Sequence, residues 1–376
     1  MMRAAICNNM VMPYTNRLFN YISGSKRIDL EVISCTLREG IRTSSSASYA
    51  KHYRHVVLKG IEIPLETTRI SHINSGMWSA LKKANPDVVA INGIYPTMII
   101  AAAWALAHQV PLTFLTDGWR HTMPQSPYHR IVRPLIVNRC KSIICASEKG
   151  RRYFMEQGVD ERRIFIAPIV PSWDAPAQVP GFEQRPYHLL WCGRLNESPK
   201  NAGFLIDLAI AMHKRIRDFR CRIVGDGPMR QELLERLSGN GVTFEYSENV
   251  RPEEMAKVFV TGRVLVLPSK LEAWGLVCNE AMQCGTPAVV SCYTGVADEL
   301  VVNGKTGFVR DLNVGEWVDT VEYMAINPTV WMELSKAGQR MVTNYNIQNS
   351  ASNYIGGLLF AANQSPGAAR EGSQNG

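Results

Sequence analysis

Short apolar runs alternate with helical stretches along most of the chain, and this alternation restricts the fold more than any other feature. In the first half, the apolar runs cover residues 3–7, 30–35, 88–91, 111–115 and 142–146. Such alternation predicts parallel sheets that are covered by helices on both faces. With 376 residues, the chain is long enough for two domains of ordinary size.

A proline-rich segment divides the chain between its two halves. Residues 168–186 carry five prolines and no clear periodicity, which is typical of a connection. We therefore predict two doubly wound parallel-sheet domains that face each other across a cleft. The predicted segments are a first domain at 1–170, a linker at 171–186, a second domain at 187–345, a C-terminal helix at 346–362 and a disordered tail at 363–376.

The most informative local pattern lies at residues 264–290, where two β-branched runs enclose a polar loop, a predicted helix and a Gly-Thr-Pro stop. Glu272 and Glu280 lie near the predicted start of that helix, at Trp274 or Gly275. The first amides of a helix lack helical partners and favour anions, so a diphosphate fits there. Carboxylates on either side would accept hydrogen bonds from hydroxyls. A ligand with a diphosphate between two hydroxyl-bearing groups is a nucleotide sugar. Acidic residues also suit a helix start without any ligand, and the pair alone favours that simpler interpretation.

The complete pattern is more specific than the pair of glutamates. Ser269, Glu272, Gly275, Glu280 and the Gly-Thr-Pro stop, placed between two strands, resemble the donor site of the retaining glycosyltransferases of family four, which have the GT-B fold. The resemblance implies that Glu280 binds the ribose hydroxyls and Glu272 the donor sugar. It also implies that the diphosphate lies on the amides of Gly275, Leu276 and Val277, and that the C-terminal helix packs on the first domain.

A second loop completes the predicted donor site. After the apolar run at 188–192, Gly193 opens a loop in which Arg194 and Lys200 occupy the positions that supply cations to the diphosphate in the family. Fixed cations stabilise the charge that grows on a departing diphosphate. Two solvated loop cations are the alternative interpretation. The resemblance further places the base pocket near Val250 and Arg251, although Tyr246 stands where many relatives have glycine.

In the first domain the candidate residues follow predicted strands. Asn8 and Asn92 follow the runs at 3–7 and 88–91, and Asp117 with Trp119 and His121 follows the run at 111–115. Relatives often place a glycine pair in the first of these loops and a histidine in the last. We expect Asn8 or Asn9 to supply a positive φ in place of glycine, and Asp117, with His121 second, to act near the reacting carbon. Asp-Gly is also a common turn pair.

Basic residues concentrate in one part of the first domain. Residues 119–163 contain ten Lys or Arg against four Asp or Glu, which is +6 of the formal net charge of +8. Anionic lipid headgroups or a lipid-diphosphate acceptor would bind such a surface, and an ordinary solvated face explains it equally well. No nucleic-acid-binding motif accompanies the charge. Nine scattered cysteines without a Cys-x-x-Cys pair indicate a reducing compartment, and no signal-peptide core or membrane span is visible.

We therefore predict a retaining, metal-independent glycosyltransferase, cytoplasmic or peripheral on the inner face of the membrane. It would use a nucleoside-diphosphate sugar as co-substrate, no cofactor, and an acceptor hydroxyl on a lipid-linked or oligosaccharide intermediate of cell-surface polysaccharide. The absence of an Asp-x-Asp sequence supports metal independence. Two alternatives stay open, a sugar-nucleotide epimerase of the same architecture and a non-catalytic glycosyltransferase-like subunit.

Overall fold

The computed structural model describes residues 1–38, 49–66 and 69–364. The chain forms two compact units, one made of Met1–Ser172 with the segment from Ile347 onward, and one made of Trp173–Asn346. Most of the predicted tail at 363–376 lies outside the described residues.

Parallel strands form the central sheet of unit 1, in the order β3-β2-β1-β6-β7-β8-β9 within the described residues. The strands are β1 (Met2–Asn8), β2 (Ile28–Ser34), β3 (Arg54–Val57), β6 (Val88–Asn92), β7 (Leu112–Thr116), β8 (Ser142–Cys145) and β9 (Ile164–Ile166). Apart from the edge strand β3, these strands are largely buried, as is typical of strands covered on both faces. An antiparallel hairpin, β4 (Ile61–Glu66) with β5 (Arg69–Ile73), stands apart from this sheet and interrupts the alternation.

Helices of unit 1 connect successive strands and cover both faces of the sheet. They are α1 (Pro13–Gly24), α2 (Met77–Ala84), α3 (Pro96–Ala107), α4 (Pro127–Val137) and α5 (Glu148–Glu156), with α12 (Ile347–Asn363) from the end of the chain. The buried residues of α12, among them Tyr354, Ile355 and Leu358, pack in one cluster with Ile6 and Ile144 of the sheet. The last helix therefore belongs to the core of unit 1.

Unit 2 repeats the same architecture with strand order β12-β11-β10-β13-β14-β15, all parallel. The strands are β10 (Tyr187–Cys192), β11 (Arg220–Val224), β12 (Thr243–Ser247), β13 (Gly262–Leu267), β14 (Ala288–Ser291) and β15 (Gly307–Arg310). The helices are α6 (Ala202–Arg215), α7 (Arg230–Gly239), α8 (Met255–Phe259), α9 (Leu276–Gln283), α10 (Val314–Ile326) and α11 (Pro328–Val342). Because the strands are parallel, the loops after them meet at one edge, which is where such sheets bind ligands.

Much of the segment predicted as a linker packs into unit 2. Phe182 is buried against Trp331, and the ring of Trp173 stacks on Phe259 at 6.2 Å between centroids. Arg185 is fully buried and donates hydrogen bonds to the carbonyls of Gly262 (2.8 Å) and Cys284 (2.7 Å). Its side chain therefore ties the start of β10 to the end of α9.

Candidate functional site

The loop from Gly193 to Asn201 is fixed at both ends by backbone hydrogen bonds. The Gly193 amide donates to the Val224 carbonyl at 2.9 Å, and the Leu195 amide donates to the Asp226 carbonyl at 2.9 Å. Further along, the Lys270 amide donates to the Pro199 carbonyl at 2.8 Å. The loop that carries the two predicted cations is thus joined to the loops after β11 and β13.

Glycine is required where the turn after β11 meets this loop. Gly225 has a φ of +142°, and a Cβ there would lie 1.8 Å from the Gly193 carbonyl oxygen. A Cβ on Gly227 would lie 2.2 Å from the Leu195 carbonyl oxygen. The Gly-x-Gly-Pro turn at residues 225–228 therefore packs directly against the backbone of the Arg194 loop.

Lys200 and Glu272, which are 72 residues apart in sequence, form a direct ion pair between Nζ and Oε2. Their side chains are 24% and 17% exposed, so the pair is partly desolvated and still open to a ligand. Both residues were selected from separate motifs in the sequence. The structure brings them into contact at the carboxyl edge of the sheet.

The Glu272 backbone is held by the loop after β14, which the sequence analysis missed. The Glu272 amide donates to the Tyr293 carbonyl at 3.2 Å, and the Gly295 amide donates to the Glu272 carbonyl at 3.1 Å. A Cβ on Gly295 would lie 2.1 Å from the Ala273 carbonyl oxygen. Its position directly after a parallel strand was the signal that could have found this loop.

The helix that follows begins one or two residues later than the predicted start at Trp274 or Gly275. Gly275 is the residue before the helix, with φ +108° and ψ +51°, and α9 starts at Leu276. Leu276 and Val277 are half-buried and supply first-turn amides without helical acceptors. The adjacent Trp274 is buried, and its indole donates to Asn279 Oδ1 at 2.8 Å. Amides in this position favour an anion.

Glu280 lies in the second turn of α9, in surroundings that disfavour its charge. Burial raises the pKa of the Glu280 carboxyl to about 8, and the nearby Trp173 side chain opposes part of that increase. At neutral pH the carboxyl is therefore protonated in a large share of molecules, so it can donate as well as accept a hydrogen bond. Sequence reasoning did not foresee this state, because no local pattern encodes the burial that raises the pKa.

The predicted base loop is the least enclosed part of the site. Val250 is half-buried, whereas the exposed Arg251 pairs with Glu254 at 3.2 Å between Nε and Oε2. Tyr246, which replaces a glycine common in relatives, donates from its hydroxyl to the Gly225 carbonyl at 2.9 Å. The tyrosine therefore links the loop after β12 to the turn after β11.

In unit 1, three predicted acceptor-side residues line one cavity of about 110 Å³ at the carboxyl ends of the strands. Asn92 Nδ2 donates to Asn8 Oδ1 at 2.8 Å, and Asp117 lies on the same lining. Tyr14 and Ser350 also contribute, and the sequence analysis selected neither. The polar groups stand among apolar side chains, namely Ile6, Leu18, Phe19, Leu115, Ile144, Ile169 and Val170.

Two other predictions for unit 1 concern the φ of Asn8 or Asn9 and the positions of Trp119 and His121. The expectation of a positive φ at Asn8 or Asn9 is wrong, because Asn8 ends β1 and its side chain accepts a hydrogen bond from the Asn9 amide at 2.9 Å. Trp119 is buried, with Lys149 Nζ 4.7 Å from its ring and the His121 ring 4.9 Å away. Trp119 and His121 are not among the residues that line the cavity.

In the described part of the chain, no helix has the length and apolarity needed to cross a bilayer. All nine cysteines are free thiols. No group of three or more His, Cys, Asp or Glu side chains arranged to hold a metal ion occurs among the described residues.

Two family descriptions match successive parts of this chain. Residues 186–327 match the domain described as "Glycosyl transferases group 1", and residues 25–169 match "Glycosyltransferase Family 4". Together they include most of the chain and, apart from β1, the strands of both parallel sheets.

Named relatives are similar over part of their length. The sulfoquinovosyl transferase SQD2 of Arabidopsis thaliana is 22% identical over 342 residues, which cover 83% of this chain and 62% of that protein. The D-inositol 3-phosphate glycosyltransferase of Pseudarthrobacter chlorophenolicus is 27% identical over 241 residues, covering 60% of this chain and 56% of that protein. The chain thus spans about six tenths of the length of these relatives.

Solved structures share the fold at low identity. Anabaena Alr3699/HepE in complex with UDP and glucose superimposes with a TM-score of 0.72 at 14% identity, covering 96% of this chain and 100% of that one. A mutant of S. aureus TarM, in complex with UDP and other ligands, gives a TM-score of 0.71 at 12% identity, covering 95% and 100%. With the two parallel sheets, these likenesses confirm the predicted GT-B, α/β fold.

Proposed function

Because this chain belongs to the group 1, family-four glycosyltransferases, we propose that it transfers a sugar from a nucleoside diphosphate to a hydroxyl acceptor. The observation that carries the proposal is the Lys200–Glu272 ion pair in front of α9. It places a cation suited to a diphosphate beside a carboxylate suited to sugar hydroxyls. Unit 2 would thus bind the donor and unit 1 the acceptor.

Two buried polar atoms on the loops that carry this pair support the binding of a polar ligand. Asn196 Nδ2 and Ser269 Oγ are buried, and neither has a hydrogen-bond partner within the described residues. Buried polar groups are nearly always satisfied, so an unsatisfied pair at one edge of a sheet favours a site that a polar ligand completes. The Lys200 amide, bonded to Asn196 Oδ1 at 3.2 Å, fixes the asparagine in the loop.

The proposed reaction needs no cofactor and retains the anomeric configuration, as the family signature implies. The bond from the anomeric carbon to the diphosphate oxygen breaks, and the acceptor oxygen bonds to that carbon on the same face. The acceptor proton passes to the departing diphosphate oxygen. Arg194, Lys200 and the amides of Gly275, Leu276 and Val277 would stabilise the growing negative charge, the task that a metal ion performs in other enzymes.

The remaining candidates receive roles consistent with their places. Glu280, protonated in part at neutral pH, would donate to one ribose hydroxyl and accept from another. Asp117, with Asn8 and Asn92, would orient the acceptor hydroxyl in the unit 1 cavity. For Val250 and Arg251 a contact with the base stays a prediction.

The test is an incubation with a panel of UDP-, GDP- and ADP-sugars in the presence and absence of alkyl glycoside acceptors. We expect nucleoside diphosphate to be released together with a new glycoside, detected by mass spectrometry, whose configuration matches the donor by NMR. Conversion of the sugar nucleotide to an isomer without acceptor would instead identify an epimerase. Binding of a nucleoside diphosphate without turnover on any acceptor would favour a non-catalytic subunit.

A further inference from the structure

Helix α4 exposes an apolar stripe on its outer side. Tyr128, Ile131 and Leu135 are 42%, 65% and 54% exposed, and their spacing of three and four residues places them on one side of the helix. The opposite side of α4 is already used, because Ile136 and Val137 are buried in the core of unit 1. The stripe is therefore a second apolar face on a helix that the core already holds.

Cations border this stripe along and beyond the helix. Arg130 lies within α4 and is exposed, and Arg139 follows the helix and donates from Nη1 to the Leu135 carbonyl at 2.8 Å. Single exposed apolar residues are ordinary on a protein surface. Three exposed apolar residues on one side of a helix, with cations beside them, instead have the pattern of a helix that lies in a membrane interface.

A wide cavity of about 790 Å³ opens at the C-terminal end of α4. Arg139, Lys141, Arg162 and Arg163 line it against the single carboxylate of Asp160. That carboxylate pairs with Arg162 at 2.5 Å, and Arg163 donates to the Cys140 carbonyl. The apolar side chains of Leu106 and Phe360 complete the lining beside these cations. The cavity thus combines excess positive charge with apolar walls.

The cavity lies at the opposite edge of the sheet from the acceptor-side cavity. Lys141 directly precedes β8, and Arg163 directly precedes β9, so both lie at the amino ends of parallel strands. Phe360 lies near the C-terminal end of α12, whereas Ser350 and Tyr354, in its N-terminal half, line the cavity at the carboxyl ends of the strands. The cationic cavity is thus a feature separate from the proposed acceptor site.

We propose that α4 and the cationic cavity together dock unit 1 on an anionic lipid bilayer. Ile131 and Leu135 enter the boundary of the acyl region, and Tyr128 lies at headgroup depth, where its ring and hydroxyl suit the interface. The cations of the cavity bind lipid phosphates at the same surface. Charge complementarity selects this occupant, since a second copy would bring an equal excess of positive charge to the same place.

Co-sedimentation of the full chain with vesicles tests the proposal. The vesicles contain either phosphatidylcholine alone or phosphatidylcholine with about one third phosphatidylglycerol. We expect binding only to the second, weakened about 30-fold in Arg139→Gln/Lys141→Gln, at about 5-fold for each cation. Ile131→Ser/Leu135→Ser should lose about 10-fold or more, because two exposed apolar groups no longer enter the bilayer.

The matched control is Lys214→Gln/Arg217→Gln, which removes one exposed lysine and one exposed arginine from unit 2. It should bind like the original chain. Equal binding to both vesicle types, or an equal loss in the control, would overturn the proposal. So would light scattering in which Ile131→Ser/Leu135→Ser converts a dimer to a monomer, because a second copy would then cover the stripe. Stabilisation by nucleoside diphosphates, measured without vesicles, keeps this result separate from the donor proposal.

Discussion

The carboxyl edges of the two sheets follow the same strand pattern, but they differ in how closely their loops pack and in which polar groups they present. In unit 2 the loops approach so closely that a Cβ on Gly225 or Gly295 would overlap a neighbouring backbone, and they present the charged Lys200–Glu272 pair. In unit 1 the edge forms a small, mostly apolar cavity with the Asn8–Asn92 amide pair and an exposed aspartate. The first edge is closely packed and presents charged groups, and the second presents a few polar groups among apolar walls.

The largest effect should follow from breaking the charged pair in unit 2. Lys200→Ala or Glu272→Ala should lower kcat about 10²- to 10³-fold, since a group that stabilises charge in the transition state is lost. Lys270→Ala is the matched control, because Lys270 pairs with Glu197 in the same two loops and is 46% exposed. Steady-state kinetics measure all three variants. An equal loss of kcat in Lys200→Ala and Lys270→Ala would contradict a specific role for the Lys200–Glu272 pair.

The close approach of loops in unit 2 should be sensitive to one added methyl group. Gly225→Ala should destabilise unit 2 by about 2–4 kcal/mol, because Ala must adopt a strained φ and displace Gly193. Gly239→Ala is the control, since a Cβ there meets nothing within 4 Å, and an effect of about 1 kcal/mol or less is expected. Thermal unfolding distinguishes the two. An unchanged Tm in Gly225→Ala would show that the loops can move apart.

The free energy of unfolding should decrease as pH rises, because of Glu280. Its pKa of about 8 exceeds the ordinary 4.5, so the unfolded chain loses the proton first and stability decreases as pH rises from about 4.5 to 8. Glu280→Gln removes this term and should raise the Tm by several degrees at pH 9, on the order of 1–3 kcal/mol, with little change at pH 4.5. A uniform shift at every pH would contradict the raised pKa.

The smallest effect should come from unit 1. Asp117→Asn should lower kcat/KM for the acceptor about 10-fold, as expected for an orienting group, while nucleoside diphosphate binding stays unchanged. Asp29→Asn is the control, because this aspartate is 37% exposed and pairs with Arg54 at 3.2 Å. Weakened nucleotide binding in Asp117→Asn would mean that the unit 1 residue acts on the donor.

The sequence predicts the fold well where apolar runs are long and buried. The runs predicted at 3–7, 88–91 and 188–192 became β1, β6 and β10, with their ends moved by one residue. The hairpin β4–β5 was missed, because its alternating sequence lies between two parallel strands and obeys a different period. Trp173 and Arg185 were missed because prolines around them indicated a connection, whereas each finds a packing partner distant in sequence.

For the site, local motifs identified residues but could not reveal their surroundings. Lys200 and Glu272 were each selected by sequence, and the contact between them exists only in the folded chain. The high pKa of Glu280 depends on burial, which no local pattern encodes. Positive φ at Asn8 was expected by analogy with glycine, but pairing with Asn92 gives the side chain a different task.

Thermal unfolding in the presence of UDP, GDP and ADP tests the donor site most directly. At 100 times its dissociation constant, the matching diphosphate should stabilise the chain by about 2.7 kcal/mol. The gain should vanish in Lys200→Ala at the same concentration and persist in Lys270→Ala. No stabilisation by any of the three, or an equal gain in Lys200→Ala, would contradict a donor site built around Lys200 and Glu272.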